Sequence, residues 1–383
     1  MLKKYHLFTP GPTMVPADVA LAGAKDMVHH RTDQFHGIYE ECAVKLQSIF
    51  VTKQRVLTLN ATGTGAMEAA VANLVSPGEK IITFNGGKFG ERWTKIGKAL
   101  GAQVHEVKYG WDDAATPDKL EKALQDAPDA VGIYTQLTET SSGILNPVRE
   151  LAELAHQHGK FMVIDAISGM LAHPCPMDEW ELDVLLSGSQ KGFMMPPGLA
   201  FIALGPRALE KMNQTKRVTF YFDLVAAIKN DEKKTHPWTS NVSLFQQLNT
   251  SLDLLLAEGL PEILRRHQIQ GDAVRAAADA LGFPRLSARF PCNVLTPILM
   301  PEGILASKVV KFMRDEWGIY MAAGQDDYKD KIVRIGTIGY QDYFDTVMAV
   351  AAFEMAMKKF GAAIELGAGV RAAEEVFFSH LCA

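Results

Sequence analysis

The chain has 383 residues, 48% of them hydrophobic and 22% charged. This length and composition suit one large domain with a smaller companion and exclude a disordered or fibrous protein. Its 39 basic and 44 acidic residues give a formal charge of −5. Because the sequence has no long basic run, a nucleic-acid partner is not expected, and we predict a small-molecule partner instead.

The cysteine spacing and the N-terminal segment indicate the cellular compartment of the protein and the redox state of its thiols. The four cysteines are Cys42, Cys175, Cys292 and Cys382. They form no Cys-x-x-Cys pair, so the sequence indicates neither a metal site nor a disulfide framework. The first eight residues are followed closely by Pro10 and Pro12 and lack the apolar core of a signal peptide. No later run of residues is suited to span a membrane. We therefore expect reduced thiols, a cytoplasmic location and no membrane partner.

Between residue 56 and about residue 205, short β-branched runs alternate with amphipathic stretches. This pattern is typical of βαβ units around a buried sheet. The predicted strands are residues 56–60, 80–84, 103–107, 130–135, 161–167, 184–187 and 199–204. The predicted helices between them are residues 67–74, 92–100, 117–125 and 148–158. This part of the chain is therefore predicted to be an α/β domain.

The pattern changes in the second half of the chain. Residues 215–240 carry many charges and turn formers, which predicts an excursion rather than core. A long helix is predicted over residues 243–268. After residue 284 the predicted strands are residues 294–299 and 332–338, and the predicted helices are residues 304–317 and 343–360. We interpret this region as a second, smaller α+β domain.

The segment Ser187-Gly188-Ser189-Gln190-Lys191-Gly192 follows one apolar strand and precedes another. A lysine where a strand runs into a small-residue loop can project into the crevice at the carboxyl ends of the strands. There it can form a Schiff base, because partial desolvation lowers the pKa of the amine. The ordinary alternative for a lone lysine is a solvated surface position.

An acid stands at the end of the apolar strand predicted over residues 161–167: Asp165. A buried carboxylate needs a compensating positive charge. The protonated ring nitrogen of pyridoxal 5′-phosphate (PLP) would supply such a charge, and an aspartate that keeps this nitrogen protonated would make the ring an electron sink. A capping or turn aspartate is the alternative.

Residues 59–70 combine a strand end, a Gly/Thr turn and an Ala-rich helix start. Bare glycines let backbone N–H groups approach an anion, and the helix dipole favours an anion there, which suits the PLP phosphate. The segment is not a Walker loop, because no Gly-Lys-Ser/Thr follows. By itself it could equally be a helix cap.

Together these segments resemble the class V aminotransferases of PLP fold type I, in particular the alanine:glyoxylate and serine:pyruvate aminotransferase group. The resemblance runs from Thr9-Pro10-Gly11-Pro12 to Val333-Arg334-Ile335-Gly336. It implies a large PLP-binding α/β domain, residues 20–270, with a mainly parallel seven-stranded sheet flanked by helices. It also implies a smaller α+β domain formed by residues 1–19 and 271–383.

The resemblance assigns cofactor contacts residue by residue. In that family the lysine at Lys191 holds PLP and shuttles the proton, and the acid at Asp165 pairs with the ring nitrogen. The phosphate would be held by Thr64, Gly65, Ala66 and Gln190. The aromatic at Phe89 would stack on the pyridine ring, and the hydroxyl of Thr140 would reach the 3′ oxygen, although core packing and a turn are the ordinary uses of these two residue types.

Two further pairs of residues concern the partner subunit and the substrate. The family sends the segment that holds His236 and Thr239 across a dimer interface to complete the neighbouring phosphate site, which implies a homodimer. An arginine within an apolar strand, as at Arg334, is not expected to be buried without an anion. The family uses it as a fork for the substrate α-carboxylate, with Gly11 close by.

The expected activity is a PLP-dependent, ping-pong transfer of an amino group from a small α-amino acid to a 2-oxo acid such as glyoxylate or pyruvate. The sequence departs from the alanine:glyoxylate enzymes at Phe89, Ala66 and His236, where they carry tryptophan, histidine and tyrosine. These departures leave the donor open among alanine, serine, aspartate and phosphoserine, so a phosphoserine aminotransferase is an alternative.

Two alternatives differ more in chemistry. A cysteine desulfurase shares the fold type, but it usually has a histidine directly before the lysine and a reactive cysteine on a loop. Here Gln190 precedes Lys191, and Cys292 leads into an apolar strand as a buried structural thiol would. A non-catalytic scaffold is the second alternative, but a scaffold has no use for the lysine, the aspartate, the phosphate loop and the arginine together.

Overall fold

Alternating strands and helices build most of the molecule. A computed structural model describes residues 3–381, so Cys382 lies outside the described residues. The strands are β1 His6–Leu7, β2 Val56–Leu59, β3 Lys80–Asn85, β4 Gln103–Lys108, β5 Gly132–Gln136, β6 Thr138–Glu139, β7 Ile144–Leu145, β8 Phe161–Asp165, β9 Val184–Gly188, β10 Ala200–Leu204, β11 Leu295–Leu299, β12 Ile319–Tyr320, β13 Ala322–Ala323 and β14 Ile332–Gly336. The α-helices are α1 Ala17–Ala22, α2 Asp33–Phe50, α3 Gly63–Leu74, α4 Lys88–Ala99, α5 Pro117–Asp126, α6 Val148–Gln157, α7 Pro206–Gln214, α8 Leu224–Asp231, α9 Val242–Glu258, α10 Leu260–Ala280, α11 Ala306–Phe312, α12 Tyr343–Lys359 and α13 Ala368–Leu381.

A seven-stranded sheet lies at the centre, in the order β2-β10-β9-β8-β5-β3-β4. All its pairs are parallel except those of β10, which runs antiparallel to both neighbours. Successive residues of a strand point to opposite faces, and both faces are covered: Ile82 packs in one core and Ile81 in the other. This α/β architecture confirms the predicted fold class.

Two helical layers cover this sheet. Helices α2, α5, α6 and α9 supply apolar residues to the core on one face. Helices α3, α4, α7 and α8 do so on the other face. The layered arrangement places the carboxyl ends of the parallel strands at one common edge, where ligands bind in folds of this type.

A second core lies in the C-terminal part. Strands β11, β14 and β13 form an antiparallel sheet, and α10 to α13 contribute to its core together with Phe8. Strand β1 pairs in parallel with β12, so the N-terminal segment joins this part. Helix α10 contributes Ile263 to the first core and Ile269 to the second. The domain boundary proposed at residue 270 falls inside this helix and stays a prediction.

The structure corrects two expectations for the region between the two parts. The predicted helix 243–268 is interrupted at Gly259, which has φ +85° and is followed by Pro261 at the start of α10. The segment 215–240 is not only an excursion, because α8 lies within it and Leu224 is fully buried. None of the described helices is long and apolar enough to cross a membrane.

Candidate active site

Lys191 lies in the turn after β9, at the carboxyl edge of the large sheet, and its side chain is buried. Its amine donates a hydrogen bond to the carbonyl oxygen of Pro10 at 2.7 Å. Burial lowers the pKa of Lys191 to about 8; Asp165 opposes this, whereas Arg334 and Arg92 add to it. Among the described residues no carboxylate forms a salt bridge with Lys191, so the effect of burial outweighs the attraction of Asp165 and the pKa of the amine falls.

The N-terminal strap, residues 9–13, covers this lysine. Gly11 has φ +134°, and a Cβ at this position would lie 2.3 Å from Lys191 Nζ. The hydroxyl of Thr13 donates to the carbonyl oxygen of Lys191 at 3.0 Å. Only a glycine therefore permits the strap to approach the amine this closely.

Asp165 is the last residue of β8 and is 5% exposed. Its carboxylate accepts one hydrogen bond, from the backbone N–H of Ile167 at 2.7 Å. Burial raises the pKa of Asp165 to about 7, although this hydrogen bond and the charge of Arg92 oppose the rise. No lysine, arginine or histidine of residues 3–381 forms a salt bridge with it. The carboxylate thus lacks the cationic partner that a buried acid requires.

The first turn of α3 carries the predicted phosphate residues Thr64, Gly65 and Ala66. Thr62, the residue before the helix, makes no side-chain cap, and the first turn contains no acidic residue. The Gln190 side-chain oxygen is buried without a hydrogen-bond partner. A Cβ on Gly188 would lie 3.3 Å from this oxygen and 3.5 Å from the backbone nitrogen of Gly63. Because the uncapped first turn of α3 and the positive end of the helix dipole meet here, this corner suits an anion.

Phe89 and Thr140 lie on neighbouring elements. Phe89 is the second residue of α4 and is partly buried. Thr140 follows β6, is buried, and its hydroxyl donates to the hydroxyl of Ser168 at 2.6 Å.

Arg334 lies in the middle of β14 and is 6% exposed. Its guanidinium donates to the carbonyl oxygen of Thr140 at 3.0 Å and to that of Ala323 at 2.8 and 3.2 Å. Burial lowers its pKa to about 10, against the charge of Glu139. Within the described part of the chain it forms no salt bridge. The structure therefore places Arg334, which is buried and has no carboxylate partner among the described residues, next to Thr140.

His236 and Thr239 are placed differently from each other. His236 is buried within its own chain, with its ring edge-on to Tyr39 and Phe245 at centroid distances of 5.4 and 5.2 Å. Its Nδ1 is 3.0 Å from the Ser240 hydroxyl, and burial lowers its pKa to about 4. Thr239 is exposed. The structure brings Thr239, but not the His236 ring, to the surface of this segment.

Three residues of the site escaped the sequence interpretation. Arg92, one turn after Phe89 on α4, places its guanidinium 5.0 Å from the Phe89 ring centroid and donates to the Thr64 hydroxyl at 3.1 Å. The i, i+3 spacing from Phe89 was the signal that could have found it. Pro10 acts through its carbonyl oxygen, which no sequence pattern marks. Glu139 is buried beside Phe89 and Thr140, and because its neighbours in the sequence are mostly polar, no sequence pattern marked it.

The three cysteines within the described residues are not placed as reactive thiols. Cys42, Cys175 and Cys292 are buried, and Cys292 is 1% exposed. Burial raises the pKa of the Cys292 thiol, which disfavours the nucleophilic thiolate. Among residues 3–381, no group of three or more His, Cys, Asp or Glu side chains could hold a metal ion.

Comparisons with known proteins agree with this geometry. The model of the family described as Aminotransferase class-V matches residues 6–334. The soluble hydrogenase 42 kDa subunit of Anabaena cylindrica is 36% identical over 98% of this chain and 99% of its own. The serine–glyoxylate aminotransferase of Hyphomicrobium methylovorum is 32% identical over 97% of this chain and 94% of its own.

A solved structure shows the same architecture over the full length. The crystal structure of ureidoglycine–glyoxylate aminotransferase from Bacillus subtilis matches with a TM-score of 0.93, at 25% identity and with 99% of each chain covered. The family match, the relatives and the fold confirm the predicted family and cofactor. The chain belongs to the class V aminotransferases, PLP-dependent transaminases of fold type I.

Proposed function

We propose that this enzyme transfers the amino group of a small α-amino acid of the alanine, serine or aspartate type to a 2-oxo acid such as glyoxylate or pyruvate, in a ping-pong cycle. The observation that carries the proposal is a set of three buried side chains that form no salt bridge within the described residues: Lys191 and Asp165 at the carboxyl edge of the large sheet, and Arg334 on β14. The names of the Hyphomicrobium and Bacillus proteins support glyoxylate as an acceptor.

The residues present fit PLP. The buried Asp165 carboxylate, with a single N–H donor, would accept a hydrogen bond from the protonated ring nitrogen. The uncapped start of α3, with Thr64, Gly65 and Ala66, would hold the phosphate together with Gln190. Next to this corner, the guanidinium of Arg92 adds positive charge.

Phe89 would lie against the pyridine ring, and the Thr140 hydroxyl would face the 3′ oxygen. When bound, PLP supplies an electrophilic carbon for the amino group and a ring that accepts electrons from the substrate Cα.

Lys191 and Arg334 would act on the substrate. Arg334 would bind the α-carboxylate as a two-point fork, because its present partners are only carbonyl oxygens. That contact orients Cα toward Lys191. With its pKa lowered to about 8, the Lys191 amine is partly neutral near neutral pH and can take the Cα proton. Gly11 leaves room for the amine beneath the strap.

We propose a homodimer with shared phosphate sites. Thr239 and the neighbouring Trp238 lie at a surface with the exposed aromatic residues Phe220 and Tyr221, and such a patch suits a protein interface. His236 would anchor the segment from inside its own chain, and Thr239 would reach the partner's phosphate. The cytoplasmic location stays a prediction.

A donor-by-acceptor activity panel tests the proposal. Alanine, serine, aspartate and phosphoserine would be paired with glyoxylate and pyruvate, and sulfide release from cysteine would be followed in parallel. Borohydride reduction of the loaded protein and peptide mass spectrometry should place the cofactor on Lys191. Turnover of none of these pairs, or sulfide release as the main activity, would contradict the proposal.

The name of the Anabaena relative favours a second candidate, a subunit role in a larger assembly. A purely structural subunit needs neither bound PLP nor turnover. The same panel, together with the visible absorbance of the purified protein, separates the two candidates.

A further inference from the structure

Glu139 is a buried carboxylate with an unusual set of partners. It is the second residue of β6 and is 1% exposed. No lysine, arginine or histidine of the described chain forms a salt bridge with it. Instead, hydrogen-bond donors from three separate segments converge on its two oxygens. Without a counter-charge, a buried carboxylate is stabilised by donors that satisfy its acceptor sites.

The first group of donors belongs to α4. The backbone N–H of Gly90 donates to Glu139 Oε2 at 2.9 Å, and that of Phe89 approaches both oxygens at 3.2 and 3.3 Å. A negative side chain against the first turn of a helix is favoured by the helix dipole. Glu139 thus caps the helix from another segment and holds the backbone of Phe89.

The second group lies within three residues of Glu139 in the sequence, at the end of β5 and in the loop after β6. Gln136 donates to Oε2 at 3.0 Å, and Ser141 donates to Oε1 through both its N–H, at 3.1 Å, and its hydroxyl. The Ser141 hydroxyl also accepts from the N–H of Lys88 at 3.1 Å. The carboxylate therefore joins the start of α4 to the loop on both sides of Thr140.

Glycine makes this approach possible. A Cβ on Gly87 would lie 2.6 Å from the Glu139 carboxyl carbon, and one on Gly90 would lie 2.3 Å from the carbonyl oxygen of Phe84. The missing side chain at Gly87 lets the start of α4 approach the carboxylate, and the missing side chain at Gly90 lets the helix pack against the end of β3.

The same loop continues to the substrate arginine. Thr140 follows Glu139 directly, and its carbonyl oxygen accepts from Arg334 at 3.0 Å. The charge of Glu139 also acts on Arg334, whose pKa it raises against the effect of burial.

We propose that Glu139 is the positioning residue of this active site, which holds the Phe89 ring, the Thr140 hydroxyl and the Arg334 guanidinium in one fixed arrangement. The inference rests on the proposed roles of these three residues. Glu139 itself acts through its neighbours and contacts neither cofactor nor substrate.

The chain provides a matched control in Glu354. This carboxylate is 2% exposed and accepts from the backbone N–H groups of Gly367, Gly369 and Val370 at 2.8, 2.5 and 3.0 Å. It caps α13 as Glu139 caps α4, but it lies in the C-terminal core and contacts none of the predicted site residues. A purely structural carboxylate should behave like Glu354.

The test compares Glu139→Gln with Glu354→Gln in the PLP-loaded enzyme. In both variants an amide NH2 replaces an oxygen that faces N–H donors, so both should lower Tm. Only Glu139→Gln should change the visible circular dichroism of bound PLP, and it should weaken PLP affinity by at least about tenfold. For any donor that the parent turns over, KM should also rise. If cofactor dichroism, PLP Kd and KM stay within about twofold of the parent while Tm falls in both variants, the proposal is wrong.

Two further variants keep the proposal testable if Glu139→Gln does not fold. Ser141→Ala removes one donor and Glu139→Asp shortens the carboxylate side chain, so each should change the cofactor dichroism relative to the parent. An unchanged dichroism in both would overturn the proposal. Because dichroism and PLP affinity need no turnover, a failure of the proposed substrates would leave this readout intact.

Discussion

Buried aspartates at the two edges of the large sheet differ in how many ionic and hydrogen-bond partners they have. At the amino edge, the buried Asp183 accepts from Arg207 at 2.6 Å, from the N–H of Met162 at 2.8 Å, and pairs with His156 at 2.8 Å. At the carboxyl edge, the equally buried Asp165 has one N–H donor. The comparison teaches that burial alone does not indicate function. A buried charge whose hydrogen-bond and ionic partners are complete supports the fold, whereas one that has neither a counter-charge nor a full set of donors is a candidate ligand contact.

The largest expected effect at the carboxyl edge comes from Lys191→Ala. Transamination should fall by more than about 10⁴-fold, since a positioned proton-transfer group alone contributes about 10²–10⁴. The protein should still fold and bind PLP without a covalent bond, because the other contacts remain. Activity assays, a thermal melt and cofactor retention on gel filtration check this. Near-normal turnover would show that Lys191 is not the catalytic lysine.

A pair of aspartate variants tests the contrast between the edges directly. Asp165→Asn should reduce kcat by about a hundredfold or more, because proton placement on the ring nitrogen is lost, with little loss of Tm. Asp183→Asn should instead lower the free energy of unfolding by about 1–3 kcal/mol, because buried hydrogen-bonded groups lose a partner. Activity per folded molecule should be retained. If both variants mainly lower kcat, or both mainly lower the free energy of unfolding, the proposed contrast between the two edges is wrong.

The pH dependence of the cofactor-free protein sharpens the same comparison. The pKa of Asp165 is about 7 in the folded chain and about 3.9 unfolded. The folded state therefore holds this proton more tightly, so its contribution to stability is complete below about pH 4 and is lost as pH rises to about 7.

Relative to Asp165→Asn, the cofactor-free parent should lose up to about 4 kcal/mol across that range, and PLP should remove most of the difference. Chemical denaturation of both proteins from pH 4 to pH 8 measures it. A difference that does not change with pH would mean that Asp165 is not buried as a titrating acid.

Arginines offer the smallest of the expected effects. Arg334→Lys should lower kcat/KM for every α-amino acid donor by about tenfold to a hundredfold, because a charge-assisted fork is replaced by a point charge. Arg55, which is paired with Glu40 and Asp231 at 2.7 Å each, is the control: Arg55→Lys should change stability and leave KM unaltered. If Arg334→Lys instead prevents PLP binding with normal KM in the loaded fraction, Arg334 is a structural residue.

Local sequence was sufficient for much of the fold. All seven strands predicted between residues 56 and 204 are present in the central sheet, because most are apolar runs bounded by turn residues and the edge strand at residues 103–107 alternates apolar and polar residues. The long helix predicted from residue 243 was wrong at Gly259, where the chain takes φ +85°. An isolated glycine within a helical pattern is tolerated in many helices, so periodicity alone did not locate this break.

Sequence alone determined the family, the cofactor and the positions of Lys191 and Asp165, because each lies at the end of an apolar strand whose carboxyl edge is set by local pattern. Only the tertiary structure decided what surrounds them. The bond from Lys191 to Pro10 joins residues 181 positions apart, and the donors on Glu139 come from separate segments. Such contacts depend on how distant elements pack, and no spacing along the chain encodes them.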